Sequence, residues 1–219
     1  AHLPMILGED GARLSKRHGA TAVREYKELG YLPQALTNFI ALLGWAPGDN
    51  REILSREEMI TAFTLERVGK TSARFNKTKL DWMNSQYLRQ LPAEALIQAL
   101  LPHLKKAGVA VETLPEGWLA RLVDLYKERF KTLEDFLVQT SFFFSEEVQY
   151  DPGAVENFLK GDQAAPLQEV YTELSKLGDF QKESLEHCLR GLVERLHTSF
   201  SKLAQPLRVA ITGKTVSAG

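Results

Sequence analysis

Pro33-Gln34-Ala35-Leu36-Thr37-Asn38-Phe39-Ile40-Ala41-Leu42-Leu43-Gly44 reads as one complete helix. Proline suits a first helical position, where its missing N–H has no partner to lose. Leu36, Phe39, Ile40 and Leu43 then recur at i, i+3, i+4 and i+7, the spacing of one apolar helix face. Gly44 stops the run. Further along, Trp45 to Asn50 is a loop by its Pro-Gly-Asp content, and Ser55 with Glu58 makes a capping box for a short helix to about Phe63. Thr78 is a candidate cap for a helix carrying Leu80, Met83, Tyr87 and Leu88. Pro92 opens a helix with Leu96, Ile97, Leu100, Leu101 and Leu104 on one face; Pro102 withholds one donor there, and Gly108 ends it. Leu119, Leu122, Val123, Tyr126 and Phe130 form another stripe. A third block starts near Thr140, with helices from Pro166 to Gly178 and along Leu185, Cys188, Leu189, Leu192 and Leu196. Strand signals are confined to Leu3–Leu7 and Gly108–Leu114. The expected fold is all-α, predominantly helical, in two or three packed units with only short strand pieces.

The 219 residues are 44% hydrophobic and 25% charged, which is ordinary globular composition. No apolar run is long enough for a membrane span, and no basic start precedes an apolar core as in a signal peptide. A single cysteine, Cys188, excludes an internal disulfide and a multi-cysteine metal site. A reducing, cytoplasmic setting follows, with Cys188 on an apolar stripe as a buried thiol. The chain begins Ala1-His2-Leu3-Pro4 without an initiator Met, so it is expected to be cut or processed from something longer.

Net charge is −1, so a polyanion must be met by local patches. Three basic clusters contain no acid: Arg13, Lys16 and Arg17; Lys70, Arg74, Lys77 and Lys79; and Arg195, Lys202, Arg208 and Lys214. Thr132 to Glu169, by contrast, holds eight acids and only Lys160. This polarity suits a surface that follows a phosphate backbone, and equally a set of solvated helix faces.

Gly69-Lys70-Thr71 and Gly213-Lys214-Thr215 each end like a phosphate-binding P-loop. The earlier glycine such a loop needs is replaced by Thr64 and Arg208, and neither has a strand–loop–helix setting. The five histidines are scattered, and nothing resembles a nucleophilic triad or a metal site. The informative stretch is Ile6-Leu7-Gly8-Glu9-Asp10-Gly11-Ala12-Arg13-Leu14-Ser15-Lys16-Arg17-His18-Gly19. Turn residues surround a compact unit of cations and a hydroxyl. Cations placed where charge builds on a leaving pyrophosphate stabilise the transition state more than the ground state.

Arg13-Leu14-Ser15-Lys16-Arg17 resembles the KMSKS signature of class I aminoacyl-tRNA synthetases. The flanking words narrow the resemblance to bacterial-type glutamyl-tRNA synthetase: Leu3-Pro4-Met5-Ile6-Leu7-Gly8, His18-Gly19-Ala20, Gly30-Tyr31-Leu32-Pro33-Gln34-Ala35-Leu36, Leu42-Leu43-Gly44-Trp45, Lys79-Leu80-Asp81-Trp82-Met83-Asn84 and Gln205-Pro206-Leu207-Arg208-Val209-Ala210-Ile211-Thr212-Gly213. They run in order along essentially the whole chain. Arg13 stands where the signature has Lys, which keeps the charge and changes its shape.

The resemblance implies the end of a catalytic domain with the KMSKS-like loop over 1–20 and a stem-contact domain over 21–91. It implies anticodon-binding subdomains over 92–145 and 146–219, the second truncated. The family's Rossmann half, with its HIGH-type motif and glutamate pocket, is expected upstream of Ala1, and its last helices beyond Gly219. The implied activity is ligation of glutamate to tRNA(Glu) at the expense of ATP with Mg²⁺. This chain is expected to bind tRNA as a cytoplasmic monomer without aminoacylating alone. By the resemblance Lys16 binds ATP and stabilises the adenylation transition state, Ser15 and Arg17 hold the loop and phosphates, and Arg13 and Leu14 complete the ATP-binding motif. Lys70, Arg74, Lys77 and Lys79 match the stem-contact region, and Arg129 and Arg208 match anticodon-reading arginines. A planar fork can hydrogen-bond and stack on unstacked bases. The alternatives are a solvated hinge for the lysine-rich run and a helix-end ion pair for Arg129, with Asp124 or Glu134. For the whole chain they are a helical RNA-binding module without catalytic role, or a scaffold for protein partners. A glutaminyl-tRNA synthetase is disfavoured, since its anticodon region is a β-barrel and 92–219 lack strand periodicity.

Overall fold

The computed structural model describes residues 4–19, 22–163 and 165–217. Leu3, at the start of the predicted first strand, and Ala20 and Thr21, at the predicted helix onset, lie outside them. The described residues are predominantly helical and fall into two compact units, Ala1–Gln139 and Thr140–Gly219.

In the first unit, β1 (Ile6–Leu7) pairs in parallel with β2 (Ala73–Arg74), Ile6 opposite Ala73 and Leu7 opposite Arg74. β2 carries no strand signal in the sequence; two residues are too few for an alternating pattern, and β1 templates them. The unit's helices are α1 (Val23–Glu28), α2 (Pro33–Gly44), α3 (Arg56–Ala62), α4 (Lys77–Gln90), α5 (Ala93–Lys106), α6 (Trp118–Tyr126) and α7 (Leu133–Thr140). α2 has the bounds its sequence predicts, and its Leu36 and Phe39 enter a core with Tyr26, Tyr31, Leu80 and Met83. The capping box before α3 is present: Glu58 N–H donates to Ser55 Oγ at 3.1 Å, and Ser55 N–H to Glu58 Oε2 at 2.8 Å.

Three local readings differ. Asn76, not Thr78, caps α4, accepting from the Lys79 amide at 2.9 Å, so the helix starts one residue before Thr78. Gly108–Leu114 holds a 3-10 turn over Val111–Thr113 instead of a strand, closed by Thr113 Oγ1 donating to Ala110 O at 2.8 Å. Phe130 lies past the end of α6, yet is buried against Phe136 at 5.2 Å between ring centroids.

Asn84, at 0% exposure, joins the first half of this unit to the second. Its Oδ1 accepts from Leu32 N–H at 2.8 Å, and its Nδ2 donates to Lys131 O at 2.6 Å. Beside it Leu133 N–H donates to Gly30 O at 3.0 Å.

Tyr31 is buried, and its hydroxyl donates to Asp81 Oδ1, which also takes the Lys77 ammonium. Burial first, and then the Asp81 carboxylate, push the Tyr31 phenol far above its ordinary range. The unfolded chain loses that proton near pH ~10, while the folded chain keeps it, so stability falls as pH rises past that value. The loss is expected to reach at most about 1.4 kcal/mol per pH unit. Urea unfolding between pH 8 and pH 11 should show it, with a shallower decline in Tyr31→Phe; an unchanged slope removes Tyr31 from the account.

The second unit contains α8 (Pro152–Phe158), α9 (Ala165–Leu174), α10 (Lys182–Arg195) and α11 (Phe200–Thr212). Val170, Leu192 and Leu203 centre its core, with Leu174, Cys188, Leu189, Val193, Leu196 and Leu207 packed around them. Cys188 is half-buried there, less enclosed than its stripe predicts. Gly213 (φ 73°) turns the chain after α11, and Asp151 N–H donates to its carbonyl at 2.9 Å. No helix of the described residues is long and apolar enough to cross a membrane.

Candidate functional site

The basic loop after β1 folds as a small hairpin followed by a turn. Gly8 N–H donates to Ala12 O at 2.8 Å, Leu14 N–H to Ile6 O at 3.0 Å, and Leu7 bridges Arg13. Ser15 is extended, and Lys16–His18 form one 3-10 turn. Asp10 braces the loop from inside. Its Oδ1 accepts from Ala12 N–H at 2.9 Å and lies 3.1 Å from His18 Nε2, while Oδ2 accepts from Arg17 Nη2 at 3.1 Å. The Ala12 amide, then the His18 ring and the Arg17 charge, hold the Asp10 carboxyl below the ordinary carboxylate range. It is therefore ionised at neutral pH, and the brace is lost only as pH falls through that lowered value.

The five residues of the predicted motif thus have different situations. Arg17 is tied back to Asp10 and partly neutralised. Leu14 is half-buried. Ser15, Arg13 and Lys16 are exposed, and no ion pair to Arg13 or Lys16 occurs among the described residues. A lysine at the outer edge of a braced turn can meet an incoming anion without first breaking a bond to a carboxylate.

The lysine-rich run is less uniform than its sequence. Lys77 pairs with Asp81 at 2.9 Å, four residues on in α4, and lies 5.9 Å from the Tyr31 ring centroid. Lys79 pairs with Glu52. Lys70 and Arg74 are exposed, with no ion pair among the described residues. Arg67, just upstream, is structural: its guanidinium donates to Pro47 O and fills the space over Gly48.

Arg129 sits in the turn between α6 and α7, which is pinned on both flanks. Lys127 Nζ donates to Leu91 O at 2.6 Å, Arg89 Nη2 to Glu128 O at 2.9 Å, and Asn84 holds Lys131 O. Arg129 N–H donates to Tyr126 O at 2.7 Å, and the residue is exposed. Glu134, one of the acids considered for it, lies against His103. In the second unit Arg208 is half-buried on α11; its Nη1 donates to Ser217 O at 3.1 Å. Its buried Nε has no hydrogen-bond partner among the described residues.

Sequence reading missed Gly8, Asp10 and His18 as the parts that shape the loop. Elsewhere Arg24, Lys27, Glu28, His103 and Lys106 line a cleft of about 420 Å³ between α1 and α5, in which Arg24 pairs with Glu28 at 3.0 Å. These cations stand some eighty residues apart, so no local charge run announces them.

A short parallel strand pair, β1–β2, with a braced basic loop after β1 and helices around it fits the tail of a class I aminoacyl-tRNA synthetase catalytic domain joined to a helical domain. Comparison with known proteins agrees. Residues 1–82 match the catalytic domain of class I tRNA synthetases for E and Q, and residues 95–219 match an anticodon-binding domain. The chain belongs to the glutamyl-tRNA synthetase (glutamate–tRNA ligase) family. It is 45% identical to glutamate–tRNA ligase 1 of Syntrophus aciditrophicus, covering 100% of this chain and 46% of that protein. It is 43% identical to the glutamate–tRNA ligase of Thermodesulfovibrio yellowstonii, covering 100% of this chain and 47% of the relative. The crystal structure of a glutamate tRNA ligase from Elizabethkingia meningosepticum, in complex with its amino acid, superposes with a TM-score of 0.80 at 32% identity, over 100% of this chain and 46% of that one. The chain thus spans about half the length of the relatives it matches.

Proposed function

We propose that this chain is the tRNA-recognising part, with the nucleotide-binding loop, of an enzyme that ligates glutamate to tRNA(Glu). The observation that carries the reading is the exposed Lys16, without an ion pair among the described residues, on a loop braced by the contacts of Asp10 with Arg17 and His18. In the proposed reaction the glutamate carboxylate attacks the α-phosphorus of MgATP, giving glutamyl adenylate and pyrophosphate. A terminal ribose hydroxyl of the tRNA then takes the acyl group and releases AMP. Lys16 meets the charge that gathers on the departing pyrophosphate, with Arg13 and Ser15 as further exposed residues of the same loop. Residues 1–20 supply this loop, and 21–91 contact the tRNA stem through Lys70 and Arg74. Lys77 and Lys79 contribute less, since each must first leave an acid. Residues 92–145 and 146–219 present Arg129 and Arg208 to the anticodon. Glutamate, ATP and tRNA(Glu) are the partners, in a cytoplasmic monomer. By itself the chain binds tRNA and does not aminoacylate.

A filter-binding titration of the chain with tRNA(Glu) tests the RNA half of this reading. Binding is expected to weaken with salt by several phosphate contacts' worth. Arg208→Ala should weaken it by about 10- to 100-fold, the order of 1–3 kcal/mol given by one lost guanidinium–base contact. Arg208→Lys should restore little, because the fork is lost with the charge kept. Salt-sensitive binding indifferent to the anticodon and to Arg208 would instead favour a general RNA-binding module, and absence of binding would overturn both.

A further inference from the structure

We propose that His18 is the positioning residue of the basic loop: its neutral imidazole, protonated on Nε2, clasps the Ser15 amide and the Asp10 carboxylate together and thereby fixes the turn from which Lys16 projects. The inference rests on the reading of Lys16 as a phosphate-binding lysine, and its geometry is independent of that reading.

Ser15 N–H lies 3.1 Å from His18 Nδ1, and a backbone amide can only donate. Nδ1 therefore carries the lone pair, and the ring proton resides on Nε2. That nitrogen lies 3.1 Å from Asp10 Oδ1, where a donor is required. The Ser15 hydroxyl lies 3.2 Å from the same Nδ1 and can turn to donate as well. The ring does for this turn what a Glu or Gln does in a capping box, reaching back three residues to the amide at the start.

The ring has one place to sit. A Cβ on Gly8 would come within 2.6 Å of His18 Cδ2 and 2.7 Å of Nε2, so a glycine there is what admits the imidazole. The His18 side chain is 16% exposed, while Ser15, Lys16 and Arg17 face solvent. Its anchor is itself held, since Asp10 takes the Ala12 amide and Arg17. Without the clasp, the turn keeps two described backbone bonds, His18 N–H to Ser15 O at 2.9 Å and Gly19 N–H to Lys16 O at 3.1 Å. A 3-10 turn of three residues is marginal on such bonds alone. Lys16 lies between Ser15 and His18, whose ring reaches back to the Ser15 amide, so the clasp restricts its backbone directly. A cation held in place before the reaction stabilises developing charge without reorganising during it.

Three measurements test the clasp. In the chain labelled with ¹⁵N-histidine, long-range ¹⁵N–¹H correlations at neutral pH should show His18 as the Nε2–H tautomer, and Asp10→Ala should shift it toward a mixture. Exchange of the Ser15 amide should be protected in the parent and in His18→Asn, whose amide oxygen replaces Nδ1. It should be lost in His18→Ala and in His18→Gln, which replaces Nε2 instead. In a synthetase carrying this loop with the complete catalytic domain, His18→Ala should lower kcat for ATP–pyrophosphate exchange by about tenfold with KM for ATP little changed, and His18→Asn should recover part of it. An Nδ1–H tautomer, or Ser15 exchange indifferent to His18→Ala, overturns the clasp. A kcat unmoved by His18→Ala while Lys16→Ala abolishes exchange overturns its positioning role and leaves the assignment of Lys16 standing. Exchange insensitive to Lys16→Ala instead removes the phosphate-binding reading, with tautomer and amide protection still judging the clasp.

Discussion

Gly30→Ala is expected to destabilise the first unit by about 3–5 kcal/mol, the upper end for a single substitution. Gly30 has φ 81°, a region in which an L side chain costs roughly 1–2 kcal/mol. A Cβ built there meets Leu133 N at 2.6 Å, Glu134 N at 2.7 Å and Leu133 Cβ at 2.8 Å. Two of these three atoms are backbone at the start of α7, so no rotamer change relieves the overlap. Moving α7 away breaks the bond from Leu133 N–H to Gly30 O, and draws on the adjacent bond from Asn84 to Lys131 O. Each lost bond adds about 1 kcal/mol, more where a buried group is left unpaired. Gly108→Ala is the control. It has nearly the same φ, 80°, and nothing within 4 Å of its Cβ position, so it should show the backbone part alone, about 1–2 kcal/mol. Chemical denaturation of both variants separates the two contributions. Equal losses would mean that the approach of α7 contributes nothing.

That pair of glycines also shows how far the sequence can be read. Both stand after helices, at Leu29 and Ala107, and sequence offers the same reading for each, a stop in the left-handed region. Only the tertiary contact with α7 distinguishes them. The same division runs through the chain. α2 was legible because its proline, apolar stripe and final glycine all lie within twelve residues. β2 was not, because its partner is 67 residues upstream. At the loop, the cations from Arg13 to Arg17 were legible as composition, and the family words around them supplied a role. The bracing by Asp10 and His18 was not, because eight residues of turn have to fold before the two meet. The lysine run makes the opposite error. It reads as free of acids along the chain, yet Glu52 reaches Lys79 across 27 residues and Asp81 reaches Lys77 from the next turn of α4. Local sequence gives the sign of a side chain's charge; whether that charge remains available depends on contacts made elsewhere in the chain.

Availability is the basis of the second large effect. In a synthetase that carries this loop with its complete catalytic domain, Lys16→Ala is expected to lower ATP–pyrophosphate exchange by about 10²- to 10³-fold, the order found when one preorganised donor to a developing oxyanion is removed. The loss should fall mainly on kcat. Negative charge on the β- and γ-phosphates rises as the α-phosphorus bond to pyrophosphate breaks, so the ammonium binds the transition state more tightly than ATP itself. Neighbouring cations are poorly placed to compensate. Arg17 is held by Asp10 at 3.1 Å, and Arg13 lies before the turn, its backbone bridged to Leu7 in the hairpin. Arg17→Ala should accordingly cost less than Lys16→Ala, although the two changes remove the same formal charge from adjacent positions. A uniform electrostatic field would make them equal, and would make both losses shrink steeply with added salt. Steady-state exchange rates for the two variants at low and moderate ionic strength distinguish these cases. A larger loss for Lys16→Ala, persisting in salt and confined to kcat, assigns the work to one positioned ammonium. Equal, salt-sensitive losses would reduce the loop to a diffuse basic patch.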